Sequence, residues 1–144
     1  MDGSRLKGTF TIPARVVVVH DEPSFLEPLV TSLTAVGVDV AGFADSLLAW
    51  DALQFSGGVE ILVTRVQFQP GRPHGVTLAK WVRERSPTVR ILFVALPEFQ
   101  PDIGNVGVLL PRPVSVPQVA ETVCRMLSNE WLGRGDDPTD ALRG

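Results

Sequence analysis

Three polar groups follow directly on apolar runs in this 144-residue chain. His20, Asp21 and Glu22 come after "VVVV", Arg65 after "ILVT", and Arg112 after "VGVLLP". Clustered carboxylates are the oxygen ligands that a hard divalent cation requires. A guanidinium stays protonated and is no nucleophile, but it makes charge-assisted or bidentate hydrogen bonds to a carboxylate. Other residue types point to less. His20 and His74 are the only two histidines, and no spaced third ligand accompanies them, so no metal site is assigned. Cys124 falls on an expected helix with no base spaced beside it and reads as a buried thiol. "GVLLPRP" lacks the glycines and lysine of a phosphate loop, and the chain has no GxGxxG or Ser/His/Asp order. No catalytic residues and no cofactor are assigned.

What these groups could do depends on the elements that carry them. "RVVVVHDEP" is too short and too β-branched for a helix, and reads as a strand at about residues 15 to 20, buried on both faces. From Pro23 to Val36, apolar residues recur at helical spacing, with Pro23 in the first turn and Gly37 as a stop. "VDVAGF" is a short strand, and "DSLLAWDALQFSGG" is a helix opened by Asp45 as N-cap and closed by glycines. "VEILVTRV" is a third strand, and a helix from about Gly75 to Arg85 ends before "SPT". "RILFVAL" and "VGVLL" are further strands, and Val116 to Leu127 carries an apolar helical face. Between the last two strands, "PEFQPDIGN" has two prolines, a glycine and no amphipathic period. It is expected to be a loop or one turn where the alternation calls for a full helix. Trp50, Trp81 and Trp131 are assigned to core or helix packing.

Bulk properties limit the function. A chain of this length buries roughly two-thirds of its unfolded surface as one domain, and a single cysteine excludes a disulfide framework within one chain. The net charge is −3 and the thirteen Lys and Arg are scattered, which argues against nucleic acid as a partner. No run is long enough for a membrane span and the start "MDGSRLKG" has no signal-peptide core; a cytoplasmic protein is expected. The organisation reads as an N-terminal extension at 1–13, one domain at 14–130 and a flexible tail at 131–144.

Alternating β and α units imply a doubly wound, five-stranded parallel sheet with helices on both faces, in the flavodoxin-like order 2-1-3-4-5. Its crevice lies at the carboxyl ends of strands one and three. There His20, Asp21 and Glu22 would face Arg65. At this point a family resemblance enters. "VVVVHDEPSFLEPLVTSLTAVGVDV" resembles the opening of a response-regulator receiver domain, and "LVTRVQF", "ILFVA" and "LLPRP" follow in that family's order and approximate spacing, over about residues 14 to 128.

The resemblance implies two-component, phosphorelay signalling: phosphoryl transfer from a histidine kinase to an aspartate after strand three, with Mg²⁺ on an acidic pair, a switch hydroxyl and a lysine before proline. Here Arg65 stands at the acceptor position, His20 and Asp21 at the acidic pair with Glu22 beside them, Val94 at the switch and Arg112 at the lysine. The expectation is a degenerate, stand-alone receiver that is no enzyme and works through protein contacts, with a histidine kinase, another signalling protein or a second copy as partner. Mg²⁺ should bind weakly or not at all, since Arg65 would lie within reach of Asp21. Two rivals are a nucleotide- or small-molecule-binding or enzymatic module on the same scaffold, and phosphorylation elsewhere, on His20.

Overall fold

In the computed structural model, which describes residues 14–54 and 58–128, the first strand, β1, is the valine run Val16–Val19. It pairs in parallel with β2 (Val40–Phe43) on one side and β3 (Ile61–Thr64) on the other. The strands β4 (Arg90–Ala95) and β5 (Val108–Pro111) extend the sheet beyond β3, so the order is β2-β1-β3-β4-β5. This is the 2-1-3-4-5 arrangement expected from the alternation of elements. Side chains leave a strand on alternate faces, and the interior strands are apolar except at two ends, Thr64 closing β3 and Arg90 opening β4, because both faces are covered. Val17, Val19, Leu62, Ile91 and Phe93 meet helices α2 (Ser46–Leu53) and α3 (Gly75–Arg85). Val16, Val18, Ile61, Val63, Leu92 and Val94 meet α1 (Pro23–Ala35) and α5 (Val116–Leu127).

Helix ends follow local chemistry. Asp45 caps α2 by accepting from the Leu47 N–H at 2.9 Å. Ser115 and Gln118 form a reciprocal capping box at the start of α5, which satisfies two otherwise orphaned donors. Helix α1 continues through Pro28 although proline removes a backbone hydrogen bond. Leu29 and Leu33, both fully buried, hold that helix against the sheet. Trp50 and Trp81 pack together between α2 and α3, ring centroids 5.3 Å apart, as assigned; Trp131 and the two terminal segments, 1–13 and 131–144, lie outside the described residues. Cys124 is half-buried beside the α1/α5 core rather than fully buried, because it sits toward the flank of α5 while Val123 faces inward.

The segment before β5 is reduced, as expected, but ordered. A single 3₁₀ turn at Pro97–Phe99 runs into α4, a four-residue helix at Gln100–Ile103. Ile103 is fully buried and Phe99 packs against the same core, so two anchors suffice where the sequence showed no period. Strand β5 begins at Val108 rather than Val106, because the Val106 N–H closes the end of α4 on Ile103 O at 3.0 Å.

The loop from β3 to α3 is pinned from three directions. The Ser46 hydroxyl donates to Pro73 O at 2.7 Å, Arg72 Nε donates to Asp45 Oδ2 at 3.0 Å, and the Phe68 N–H donates to His74 Nδ1 at 3.1 Å. Gly75 then brings α3 hard against the strand end. Its N–H donates to Val66 O at 2.7 Å, and a Cβ there would lie 1.8 Å from Arg65 O. Backbone, not a flexible side chain, would have to move. Gly75→Ala is therefore expected to destabilise the fold by about 1–3 kcal/mol, read as a shift in urea midpoint; a loss below about 0.5 kcal/mol would show that the loop yields freely.

Candidate functional site

Val19 of β1 is in register with Thr64 of β3, so the next residues on each strand, His20 and Arg65, leave the sheet side by side. Thr64 is buried, and its hydroxyl donates to Arg65 O at 2.9 Å. That bond fixes the backbone where the guanidinium departs. Arg65 Nη1 donates to Asp21 Oδ1 at 2.7 Å. The two side chains are 24% and 20% exposed, so the pair is neither a solvated surface bridge nor a sealed one. The expected reach between Arg65 and Asp21 is present, through one hydrogen bond rather than a bidentate fork.

His20 turns inward. It is 2% exposed, its ring lies 4.4 Å from that of Phe25, and its Nδ1 accepts from the Glu22 N–H at 3.2 Å. Burial, and next the positive charge of Arg65, lower its pKa to about 4, against smaller opposing effects from Glu22 and Asp21. At neutral pH it is an uncharged ring with an accepting Nδ1. Glu22 itself is exposed, as the residue before the first turn of α1.

Across the crevice, the Arg112 N–H donates to Ala95 O at 2.8 Å, which brings the end of β5 to the end of β4; the Arg112–Pro113 peptide bond is cis. Val94 is 1% exposed and its side chain belongs to the α1/α5 core. Ala95, the last residue of β4, faces the other layer. Strand alternation through "ILFVA" thus puts Val94, expected at the switch position, and Ala95 on opposite faces of the sheet. Neither residue carries a hydroxyl.

The Arg65–Asp21 pair stands between two cavities. One, of about 230 Å³, is lined by Asp21, Asp45, Ser46, Phe68 and Arg72 among others. The second, of about 150 Å³, is lined by Arg65, Val94, Ala95, Leu96, Glu98 and Arg112 among others. The donor set does not fit a Mg²⁺ ion, which needs several oxygens in near-octahedral array. One Asp21 oxygen is taken by Arg65 and the preceding residue is a buried imidazole. Among the described residues, no three His, Cys, Asp or Glu side chains group as metal ligands.

Two outcomes follow from this geometry. Removing one partner of a shielded ion pair strands the other charge, so Arg65→Ala should cost about 1–3 kcal/mol of stability. A double-mutant cycle with Asp21→Ala should return clear coupling; below about 0.3 kcal/mol the pair would be an ordinary surface contact. For His20, the unfolded chain takes up a proton near pH 6.5 while the folded chain does not until about 4. Stability contributed by the neutral ring is therefore complete above about pH 6.5 and declines as pH falls toward 4. His20→Asn, which keeps an acceptor but does not titrate, should flatten that slope in denaturation experiments run from pH 7 to 4.5.

No family model matches the chain, and no curated protein does. Solved structures do. The receiver domain of the hybrid histidine kinase CckA is 26% identical over 79% of this chain and 99% of its own, with a TM-score of 0.65. The chemotaxis protein CheY4 of Vibrio cholerae is 24% identical over 81% of this chain and 100% of its own, with a TM-score of 0.67. A response regulator receiver protein of Sinorhizobium medicae is 23% identical over 78% and 92%, also with a TM-score of 0.67. The parallel order β2-β1-β3-β4-β5, its two helical layers and these similarities give the chain the CheY-like, flavodoxin-like fold of response-regulator receiver domains.

Proposed function

We propose that this chain is a receiver module of two-component signalling that acts through protein contacts and forms no acyl phosphate at the end of β3. The observation that carries the reading is the ion pair from Arg65 Nη1 to Asp21 Oδ1 at 2.7 Å. Acyl phosphate formation requires a carboxylate nucleophile, and a guanidinium is not one. Metal assistance requires free oxygens beside it, and Arg65 engages the carboxylate best placed to supply one. Arg65 thus serves as an internal cation in the space where metal and phosphoryl group would otherwise meet, and holds the crevice in one state.

The receiver fold supports a signalling role, since its structural relatives include a receiver domain from a hybrid histidine kinase and a chemotaxis protein. Information would then leave by the surface. Helix α4 is one turn long and Leu96 before it is 45% exposed, so a partner protein, whether a histidine kinase, another signalling protein or a second copy, meets a face with little helical relief.

Incubation with acetyl phosphate and Mg²⁺ followed by intact-mass measurement is expected to give no covalent phosphoryl adduct. Arg65→Asp is expected to remain unmodified as well, because neither Val94 nor Ala95 offers a hydroxyl and His20 leaves the acidic pair incomplete. A stoichiometric adduct on the native chain would overturn the proposal, and mapping it to His20 would identify a different acceptor. Separately, a Mg²⁺ titration followed by the Asp21 amide should show no saturation below about 1 mM.

A further inference from the structure

The two edges of the sheet are built differently. An edge strand presents a row of unpaired N–H and C=O groups, and natural sheets blunt it with proline, charge or a bulge. β5 follows that rule. The Arg112 N–H turns inward to Ala95 O at 2.8 Å, so Pro111, one residue earlier, stands at an outward position where it offers no donor. β2, "VAGF", carries neither proline nor charge, and among the described residues it pairs only with β1. Asp39 O accepts from the Arg15 N–H at 2.8 Å and Phe43 O from the His20 N–H at 3.0 Å, so both carbonyls face β1. Period two then turns the N–H and C=O of Val40 and Gly42 away from the sheet. Gly42 is exposed, which leaves the centre of that edge open. Four large apolar side chains are exposed among the described residues, and three of them bracket this strand. Val36 precedes it at the end of α1, and Leu47 and Leu48 follow it in the first turn of α2; Val36 and Leu48 are each more than half exposed. In α2, Ala49 and Leu53 face the core and Trp50 meets Trp81 of α3. With about 3.6 residues per turn, Leu48 projects from the flank opposite Trp50.

We infer that β2 is a dimerisation edge, at which two copies of this chain join Val40–Phe43 antiparallel about a two-fold axis and make one continuous sheet. A two-fold interface requires a surface that fits itself. The edge is uncharged, so like meets like without repulsion. Pairing Val40 with Gly42 of the second copy joins the outward groups of both strands and leaves Ala41 on the axis. That register sets Asp39 opposite Phe43 rather than opposite Asp45, and Asp45 is already engaged by Arg72 at 3.0 Å. The exposed apolar residues are brought together as well: the end of β2 that follows Val36 in one copy runs beside the end that precedes Leu47 and Leu48 in the other. A four-residue strand with three apolar side chains buries less than about 1,200 Å² in total, the range of transient complexes, so the copies join and part reversibly. The inference is independent of the reading of Arg65. It concerns the edge of the sheet remote from β5 and asks nothing of the crevice.

The test is sedimentation equilibrium of the full chain from about 10 µM to about 1 mM, with amide exchange measured at both ends of that range. A monomer–dimer equilibrium with a Kd of about 0.1 mM is expected, and the Val40 and Gly42 amides should exchange more slowly at the higher concentration. Leu48→Lys puts a charge into the interface from each copy and should weaken association about tenfold, with the circular dichroism of the monomer unchanged. Val40→Pro removes an outward donor from each copy while sparing the bonds to β1, and should weaken it at least as much. If Val40→Pro does not fold, Leu48→Lys decides by itself, since that side chain is exposed in the monomer. A chain still monomeric at the top of the range, or a dimer that Leu48→Lys leaves unchanged, would overturn the inference. Slow exchange of Val40 and Gly42 that does not depend on concentration would overturn it too, and would show that another segment of the same chain covers the edge. Failure here is distinct from failure of the proposed function, which is read from covalent mass after acetyl phosphate and not from association.

Discussion

The burial of β1 on both faces is the constraint from which the rest of the structure follows. Val16 to Val19 have almost no contact with solvent, and a strand so enclosed admits polar side chains only at its ends. β3 is enclosed in the same way and pairs with β1 residue for residue. The first polar groups that either strand can place are thus forced together at one edge of the sheet. An arginine following β3 and an aspartate following β1 cannot avoid each other there. Their shared partial burial makes the hydrogen bond between them stronger than the same pair would be on an open surface.

That pair then orders its neighbours. Burial, and next the guanidinium in the crevice, disfavour a protonated imidazole, and His20 remains neutral, its ring tilted against Phe25 and its Nδ1 accepting from the backbone of Glu22. Asp21, committed to Arg65, stands between the cavity that holds the Asp45–Arg72 pair and the one lined by Arg65, Glu98 and Arg112. The β3–α3 loop is clamped by Arg72, Ser46 and His74. Gly75 leaves it no room to slide past the Arg65 carbonyl. The β3–α3 side of the crevice is thus tied by hydrogen bonds and by close backbone contact.

The reduced fourth helix shows the same economy of anchors. Pro97 and Pro101 fall in first turns, where a missing N–H does least harm, and Gly104, at φ 55, ends the element. Arg83 of α3 donates through Nη2 to Val106 O at 2.7 Å, which fastens the entry to β5 without a longer helix. Ile103, fully buried, supplies the core contact that a full-length helix would spread over several side chains.

Much of this was legible in the sequence because it depends on period and on single-residue chemistry. Four β-branched valines make a strand wherever they lie, α3 and α5 run over the residues that their apolar spacing predicts, and an aspartate before an apolar helical run caps it. The meeting of Arg65 with Asp21 was legible too, since parallel neighbours with the same winding bring their ends together. Other features needed the packed chain. Whether His20 pointed outward as a ligand or inward as a neutral ring depended on Phe25 and on burial, which no spacing encodes. The choice between Val94 and Ala95 turned on which strand face each residue takes, a matter of register with β3 and β5. A proline inside α1 and a helix made from "PEFQPDIGN" run against local propensity, and they persist because Leu29, Leu33 and Ile103 are buried by elements distant in sequence. Arg65 and Arg112, forty-seven positions apart, likewise line one cavity only because β5 closes onto β4.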